Sequence, residues 1–224
     1  MQVEPVAFFH SPLAGKFAVP RQSGLAPDLE GYVKLEGKYS RPEALRGLEG
    51  FSHIWLIWGF SLNAPSGFSL TARPPRLGGN KALGVFATRS PFRPNPLGLS
   101  AVRITSIRPE EGIIHVSSAD LADGTPIYDI KPYIAYSDCV EDSRGGFVEE
   151  HGWTPLKVEI PQDLAGQCPL DKTALKALEQ ILSLDPRPQF HDDPGRVYGF
   201  VYSGCEVKFR VENVVLRVVE ITAL

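Results

Sequence analysis

The sequence predicts a mainly β protein, a closed or nearly closed β-barrel followed by a small α+β unit. Three observations carry this expectation. Short runs rich in β-branched and aromatic residues recur between residues 53 and 119, set apart by Gly/Pro punctuation. Helical signals are confined to one short segment near residue 40 and one amphipathic stretch near residue 175. An acidic, turn-forming stretch, DCVEDSRGGFVEEHG at 138–152, interrupts the pattern, so the domains are placed at 1–140 and 151–224.

In chain order, the apolar run from Val3 to Phe9 and the alternating YVKLE at 32–36 read as strands. Ser40 followed by Glu43, with Pro42 between them and Gly47 and Gly50 beyond, reads as a capping box on a short helix. HIWLIWGF (53–60), ALGVFAT (82–88), GLSAVRITSI (98–107) and IIHVSSA (113–119) read as four further strands. After the acidic stretch, WTPLKVEI reads as a strand, and DKTALKALEQILSL places Ala174, Leu178, Ile181 and Leu182 on one stripe of a helix that Asp171 caps. The segment from Arg196 to Ile221 reads as two or three strands with a turn at Glu212-Asn213.

With 43% hydrophobic residues in 224, the chain can bury a substantial core. No apolar run is long enough for a membrane helix, and the N-terminus carries acid and proline where a secretory segment would be apolar, so the expected compartment is the cytoplasm. Cys139, Cys168 and Cys205 are scattered and read as free thiols. The phosphate-loop, dinucleotide, metalloprotease and nucleophile-elbow patterns are all absent. His191-Asp192-Asp193, followed by Pro-Gly, reads as a turn, and no metal is expected.

The net charge of −3 hides an asymmetry: residues 50–109 contain no Asp or Glu but carry seven Lys and Arg, leaving 16 basic against 26 acidic residues elsewhere. A positive face of that origin would attract phosphate or carboxylate. Five polar loops stand at expected strand ends: KFAVPRQ (16–22), ARPPRLGGN (72–80), TRSPFRPNP (88–96), DGTPIYDIKPY (123–133) and DPRP (185–188). Four of them combine Pro with Arg. Proline fixes φ and holds its neighbours in place before a ligand arrives, and arginine offers a planar fork of donors for carboxylate or phosphate.

RPPRLGGN, GVFATRSPFRPNPLGLS, SHIW, KFAVPRQ and DGTPIYDIKPY, in register across residues 5–134, closely resemble the TsaA-like family, also called the TrmO family. The resemblance implies a non-Rossmann β-barrel methyltransferase that uses S-adenosyl-L-methionine (SAM). It also implies a homodimer acting on transfer RNA, at N6 of an N6-threonylcarbamoyladenosine at position 37 beside the anticodon. One departure is that Phe190 stands where a Tyr commonly follows DPRP.

The resemblance points to Pro20, Arg21, Gln22, His53, Ile54, Arg89, Leu99 and Asp123 through Pro126 as cofactor contacts, Gly124 and Thr125 included. Without it, His53 would read as an ordinary core histidine. The amine nucleophile needs an acceptor for its proton, for which Asp129 or Asp123 is read; either is equally the kind of residue that caps a turn. Lys131 and Tyr133 suit substrate phosphate and base, Arg93 or Arg73 suits the threonylcarbamoyl carboxylate, and Arg76, Asn95 and Arg187 complete the expected tRNA contacts. The alternatives are a SAM- or nucleotide-binding module without catalysis and, last, a small-molecule hydrolase around His10-Ser11.

Overall fold

The computed structural model of the chain describes residues 2–63, 67–188 and 193–224. Six antiparallel strands close into a barrel in the order β1-β2-β7-β6-β3-β8. They are β1 (Ala7–His10), β2 (Glu30–Leu35), β3 (His53–Gly59), β6 (Leu97–Arg108), β7 (Ile113–Ser117) and β8 (Thr125–Pro132); β4 (Thr71–Ala72) and β5 (Leu83–Gly84) form a separate two-stranded ribbon. Alternation fills the interior: Ala7 and Phe9, Val33 and Leu35, Ile54, Leu56 and Trp58, Ile114 and Val116, and Ile127 are all buried in one cluster. Closure leaves none of these six strands as a free edge.

The second unit is a four-stranded sheet in the order β10-β11-β12-β9, built from β9 (Lys157–Glu159), β10 (Tyr198–Tyr202), β11 (Cys205–Glu212) and β12 (Val215–Ala223). The helix α5 (Lys172–Ser183) buries Ala177, Leu178, Ile181 and Leu182 in the same core as the sheet's Phe200, Val207 and Phe209. Asp171 caps it, accepting from the Ala174 amide at 2.8 Å. The helices before it are short: α1 (Pro42–Leu45), α2 (Ala135–Asp138), α3 (Phe147–Glu150) and α4 (Gln162–Gln167).

Four expectations are corrected. DGTPIYDIKPY is not a loop but supplies the sixth barrel strand, β8, whose polar residues and prolines masked its alternation. ALGVFAT is no barrel strand: two residues pair in the ribbon, and Val85–Ala87 form a 3-10 turn that buries only Val85. The capping box at Ser40 does not form. Pro42 holds Arg41 extended (φ −135°, ψ 142°) at the N-cap position, and no side chain caps α1. The last hairpin pairs Glu212 with Val215, so its turn is Asn213-Val214 rather than Glu212-Asn213.

The two units share a core. Leu13, Ala18, Ala26 and Leu29, all from the β1–β2 connection, are buried among the residues of α5 and the second sheet. Leu13 bridges Tyr202, the Ser203 amide donates to the Pro12 carbonyl at 2.9 Å, and Asp28 meets Gln180 and Lys176. The connection that carries KFAVPRQ is therefore pinned at both ends by the C-terminal unit.

Candidate functional site

A cavity of about 810 Å³ opens at one end of the barrel. One wall is the pinned connection, with Lys16, Val19, Pro20, Arg21, Gln22 and Ser23. A second is the arginine- and proline-rich loop, with Arg89, Pro91, Arg93, Pro94 and Asn95. The floor is the barrel rim, formed by Trp58 to Asn63 at the end of β3, Leu97 to Leu99 at the start of β6, and Asp120, Leu121, Ala122 and Thr125.

The opposing walls touch, because the Arg89 guanidinium donates to the Gln22 side-chain carbonyl. The loop 88–96 is braced from within as well as by proline. Thr88 Oγ1 donates to the Val85 carbonyl at 2.9 Å, and Arg93 Nη1 donates to the Thr88 carbonyl at 3.1 Å. The Phe60 amide reaches the Pro96 carbonyl at 3.0 Å, so the loop's exit is tied to the end of β3. Such bracing lowers the ordering cost of binding.

Beneath the mouth lies a polar chain. The Trp58 indole N–H donates to Ser100 Oγ at 2.9 Å, and Ser100 Oγ donates to Asp120 Oδ1 at 2.5 Å. Gly98 makes this possible, since a Cβ there would overlap the Trp58 ring. Burial pushes the Asp120 carboxyl above its usual range; the Ser100 hydroxyl, the backbone amides of Asp120 and Ser23, and the Arg89 charge oppose the shift.

Pro20, Arg21, Gln22, Arg89, Arg93, Asn95, Leu99 and Thr125 thus meet at one cavity. Other residues singled out from the sequence lie outside it. Ile54 is fully buried in the barrel core, and His53 sits at the opposite end of β3 from the cavity rim, its Nδ1 2.9 Å from Ser52 Oγ. Asp123 turns into a second cleft, where it accepts from the Ser11 amide at 3.1 Å and faces His10 Nδ1 at 3.4 Å. Gly124 takes φ 73° in the adjoining turn, and Pro126 pairs with Phe8 of β1. Asp129 is ion-paired with Lys131 at 2.9 Å, and Tyr133 packs its ring against Trp55 at 5.5 Å. Arg73 and Arg76 lie on the β4–β5 ribbon side, where Arg76 donates to the Val148 carbonyl at 3.3 Å, and Arg187 pairs with Asp185 at 2.8 Å. Phe190, His191 and Asp192 lie outside the described residues.

Sequence reasoning missed Trp58, Phe60, Ser61, Leu62, Ser100 and Asp120. A glycine two residues before a lone acid-facing serine carries no readable signal. The end of HIWLIWGF, where the strand's apolar run breaks into Ser-Leu-Asn, was the one available hint.

Residues 8–139 match the tRNA-methyltransferase O N-terminal domain and residues 154–224 the TrmO C-terminal domain. The chain is 36% identical over 220 residues to the tRNA (adenine(37)-N6)-methyltransferase of Escherichia coli, covering 95% of this chain and 94% of that one. It is 41% identical over 203 residues, 88% of this chain and 87% of the other, to a Pseudomonas aeruginosa protein whose description names S-adenosylmethionine. The crystal structure of TrmO from Pseudomonas aeruginosa superposes with a TM-score of 0.81 at 33% identity, covering all of this chain and 99% of the other.

Proposed function

The chain belongs to the tRNA-methyltransferase O family, and from that premise we propose how it works as a SAM-dependent tRNA (adenine-N6)-methyltransferase. The observation that carries the reading is the convergence of Arg21, Gln22, Arg89 and Arg93 with an indole floor in one cavity. The residues fit the cofactor's chemistry. Guanidinium forks suit its carboxylate, the faces of Trp58, Leu97 and Leu99 suit an adenine ring, and the volume falls within the range of small-molecule sites. Bound there, SAM would supply a methyl group activated on a positively charged sulfur.

The protein's own part is binding, orientation and exclusion of water. The cross-wall bond from Arg89 to Gln22 and the braced prolines set the carboxylate clamp in place beforehand. The substrate amine needs only alignment and an acceptor for one proton. Asp129 and Asp123 lie outside the cavity of a single chain, so that role falls to them only through a second copy of the chain. Exposed Leu62, Phe86, Phe92, Leu97 and Leu99 around the mouth support a homodimer.

The substrate is read as adenosine 37 carrying the N6-threonylcarbamoyl group, whose carboxylate Arg93 suits. Arg73, Arg76, Asn95, Lys131, Tyr133 and Arg187 are assigned to the tRNA around it. The division into domains at 1–140 and 151–224, and residence in the cytoplasm where tRNA is abundant, belong to the same reading. No helix among the described residues is long and apolar enough to cross a membrane, and those residues hold no metal-ligand cluster.

The test is to incubate the protein with SAM and tRNA, digest the tRNA, and weigh the nucleosides. Gain of one methyl group on threonylcarbamoyladenosine is expected. Methylation of unmodified adenosine instead would overturn the substrate assignment, and binding of SAM without any methyl transfer would return the reading to a cofactor-binding module.

A further inference from the structure

Among the described charged residues lining the main cavity, Lys16, Arg21, Arg89 and Arg93 are cationic and Asp120 is the one anion. SAM carries one carboxylate but two positive centres, an α-ammonium and a sulfonium. The arginines account for the carboxylate, so one of the positive centres is left to find the acid. We infer that Asp120, held by Ser100 and Trp58, is the counter-charge for the sulfonium, and so makes the site favour the methylated cofactor over the demethylated product. The inference rests on the SAM reading above.

The geometry decides between the two positive centres. An ammonium seeks hydrogen-bond acceptors with free lone pairs. One Asp120 oxygen already accepts from the Ser100 hydroxyl at 2.5 Å, and the backbone amides of Asp120 and Ser23 add to the stabilisation of its charge, so part of its acceptor capacity is taken before a ligand arrives. What such a partly satisfied carboxylate offers above all is charge, and a sulfonium, which has no N–H or O–H, requires nothing else. The Trp58–Ser100–Asp120 chain also fixes where that charge sits, because Ser100 is buried and Trp58 fills the space above Gly98. Burial makes this acid costly to keep charged, and the Arg89 charge offsets that cost only in part. A cation arriving in the cavity removes that cost, and transfer of the methyl group, which turns sulfonium into thioether, restores it. The product is thereby bound less tightly than the substrate, which favours release.

The experiment is calorimetric binding of SAM and of S-adenosylhomocysteine, which keeps the ammonium and carboxylate but lacks the sulfonium charge. Asp120→Asn is nearly isosteric and can still accept from Ser100. It is expected to weaken SAM about tenfold or more while changing S-adenosylhomocysteine by less than about threefold. Ser100→Ala, which frees the carboxylate without removing it, should shift the ratio of the two affinities in the same direction by less. Equal loss for both ligands would mean that Asp120 only positions Arg89 or holds an ammonium, and would overturn the inference, as would SAM affinity unchanged in Asp120→Asn. Failure of the unaltered protein to bind either ligand would instead overturn the cofactor reading, and this inference with it.

Discussion

Asp120 and Asp123 stand three residues apart, yet they face two clefts of opposite character. The cavity at Asp120 is rimmed by lysine and arginine, with the acid partly buried at its base. The cleft of about 500 Å³ at Asp123 is lined by no lysine or arginine among the described residues, gathers Asp28, Glu30, Asp123 and Asp171 with only Asp28 paired to a lysine, Lys176 at 2.9 Å from outside the lining, and leaves the Asp123 side chain 47% exposed. Its field is visible in Tyr202, whose hydroxyl is pushed up to about 12, by burial first and then by the charges of Asp171 and Glu30. A carboxylate in solvent among other carboxylates caps turns. A carboxylate in a recess among guanidinium groups answers to whatever enters. The chemistry follows environment rather than residue type.

The largest test of this contrast is ionic strength. If RNA phosphates meet the acid-free segment and avoid the acidic cleft, tRNA affinity should fall by about two orders of magnitude between 50 and 200 mM salt, as for a few neutralised phosphates. Fluorescence anisotropy at several salt concentrations reads the slope directly. A flat response would remove phosphate from the description of the cationic side.

Next in size is the carboxylate clamp. On the proposed reading Arg89→Ala would remove a charge-assisted bond to the cofactor as well as freeing Gln22, and SAM binding should weaken about ten- to hundredfold by calorimetry. Asp123→Asn is the matched control in the other cleft. A loss there as large as that of Arg89→Ala would mean that the two clefts act as one site.

These expectations also mark what could be read from the text of the chain. The barrel strands with uninterrupted apolar alternation, β3, β6 and β7, were legible, as were the helix and hairpins of the C-terminal unit. β8 was not, because Pro126, Pro132 and the charged Asp129 and Lys131 make a strand paired on both sides look like a loop. The loops of Arg21 and Arg89 stand out in the sequence because each combines proline with arginine, and both line the cavity. Asp120 does not, since its meaning depends on burial and on Ser100, 20 residues away. On β3, His53 and Ile54 stand at the strand's start, whereas Trp55, Trp58 and, just past its end, Phe60, Ser61 and Leu62 line the cavity.

A smaller effect concerns how the cavity floor is packed. Gly98→Ala forces the added methyl group into the Trp58 ring, and the resulting strain is expected to cost about 1–3 kcal/mol. For a chain of this length that lowers Tm by very roughly 2–10 °C, measurable by thermal melting. Gly199→Ala in the second sheet, where the new atom meets Lys208 Cγ at 3.6 Å in ordinary contact, should leave Tm nearly unchanged. Equal sensitivity at both positions would deny the floor its special tightness.

The smallest effect tests how the acidic side supports the cationic one. Lys176 and, after it, Gln180 hold the Asp28 carboxyl below its ordinary 3.8, and both belong to the helix that pins the connection carrying Arg21. A depressed carboxyl contributes stability that is present above the unfolded value and is lost as pH falls through the folded one. Asp120 has the opposite sign: its raised value penalises the folded state at neutral pH, and acidification towards 3.8 relieves that penalty. Lys176→Ala should therefore lower Tm at neutral pH by only about a degree, because the pair is solvent-exposed, and the deficit should shrink as pH drops through the carboxylate range. Asp120→Asn, without ligand, should raise Tm at neutral pH and lose that advantage on acidification. If Lys176→Ala also weakens SAM by more than its slight effect on stability allows, the C-terminal unit sets the position of the cofactor wall rather than merely adding to the core.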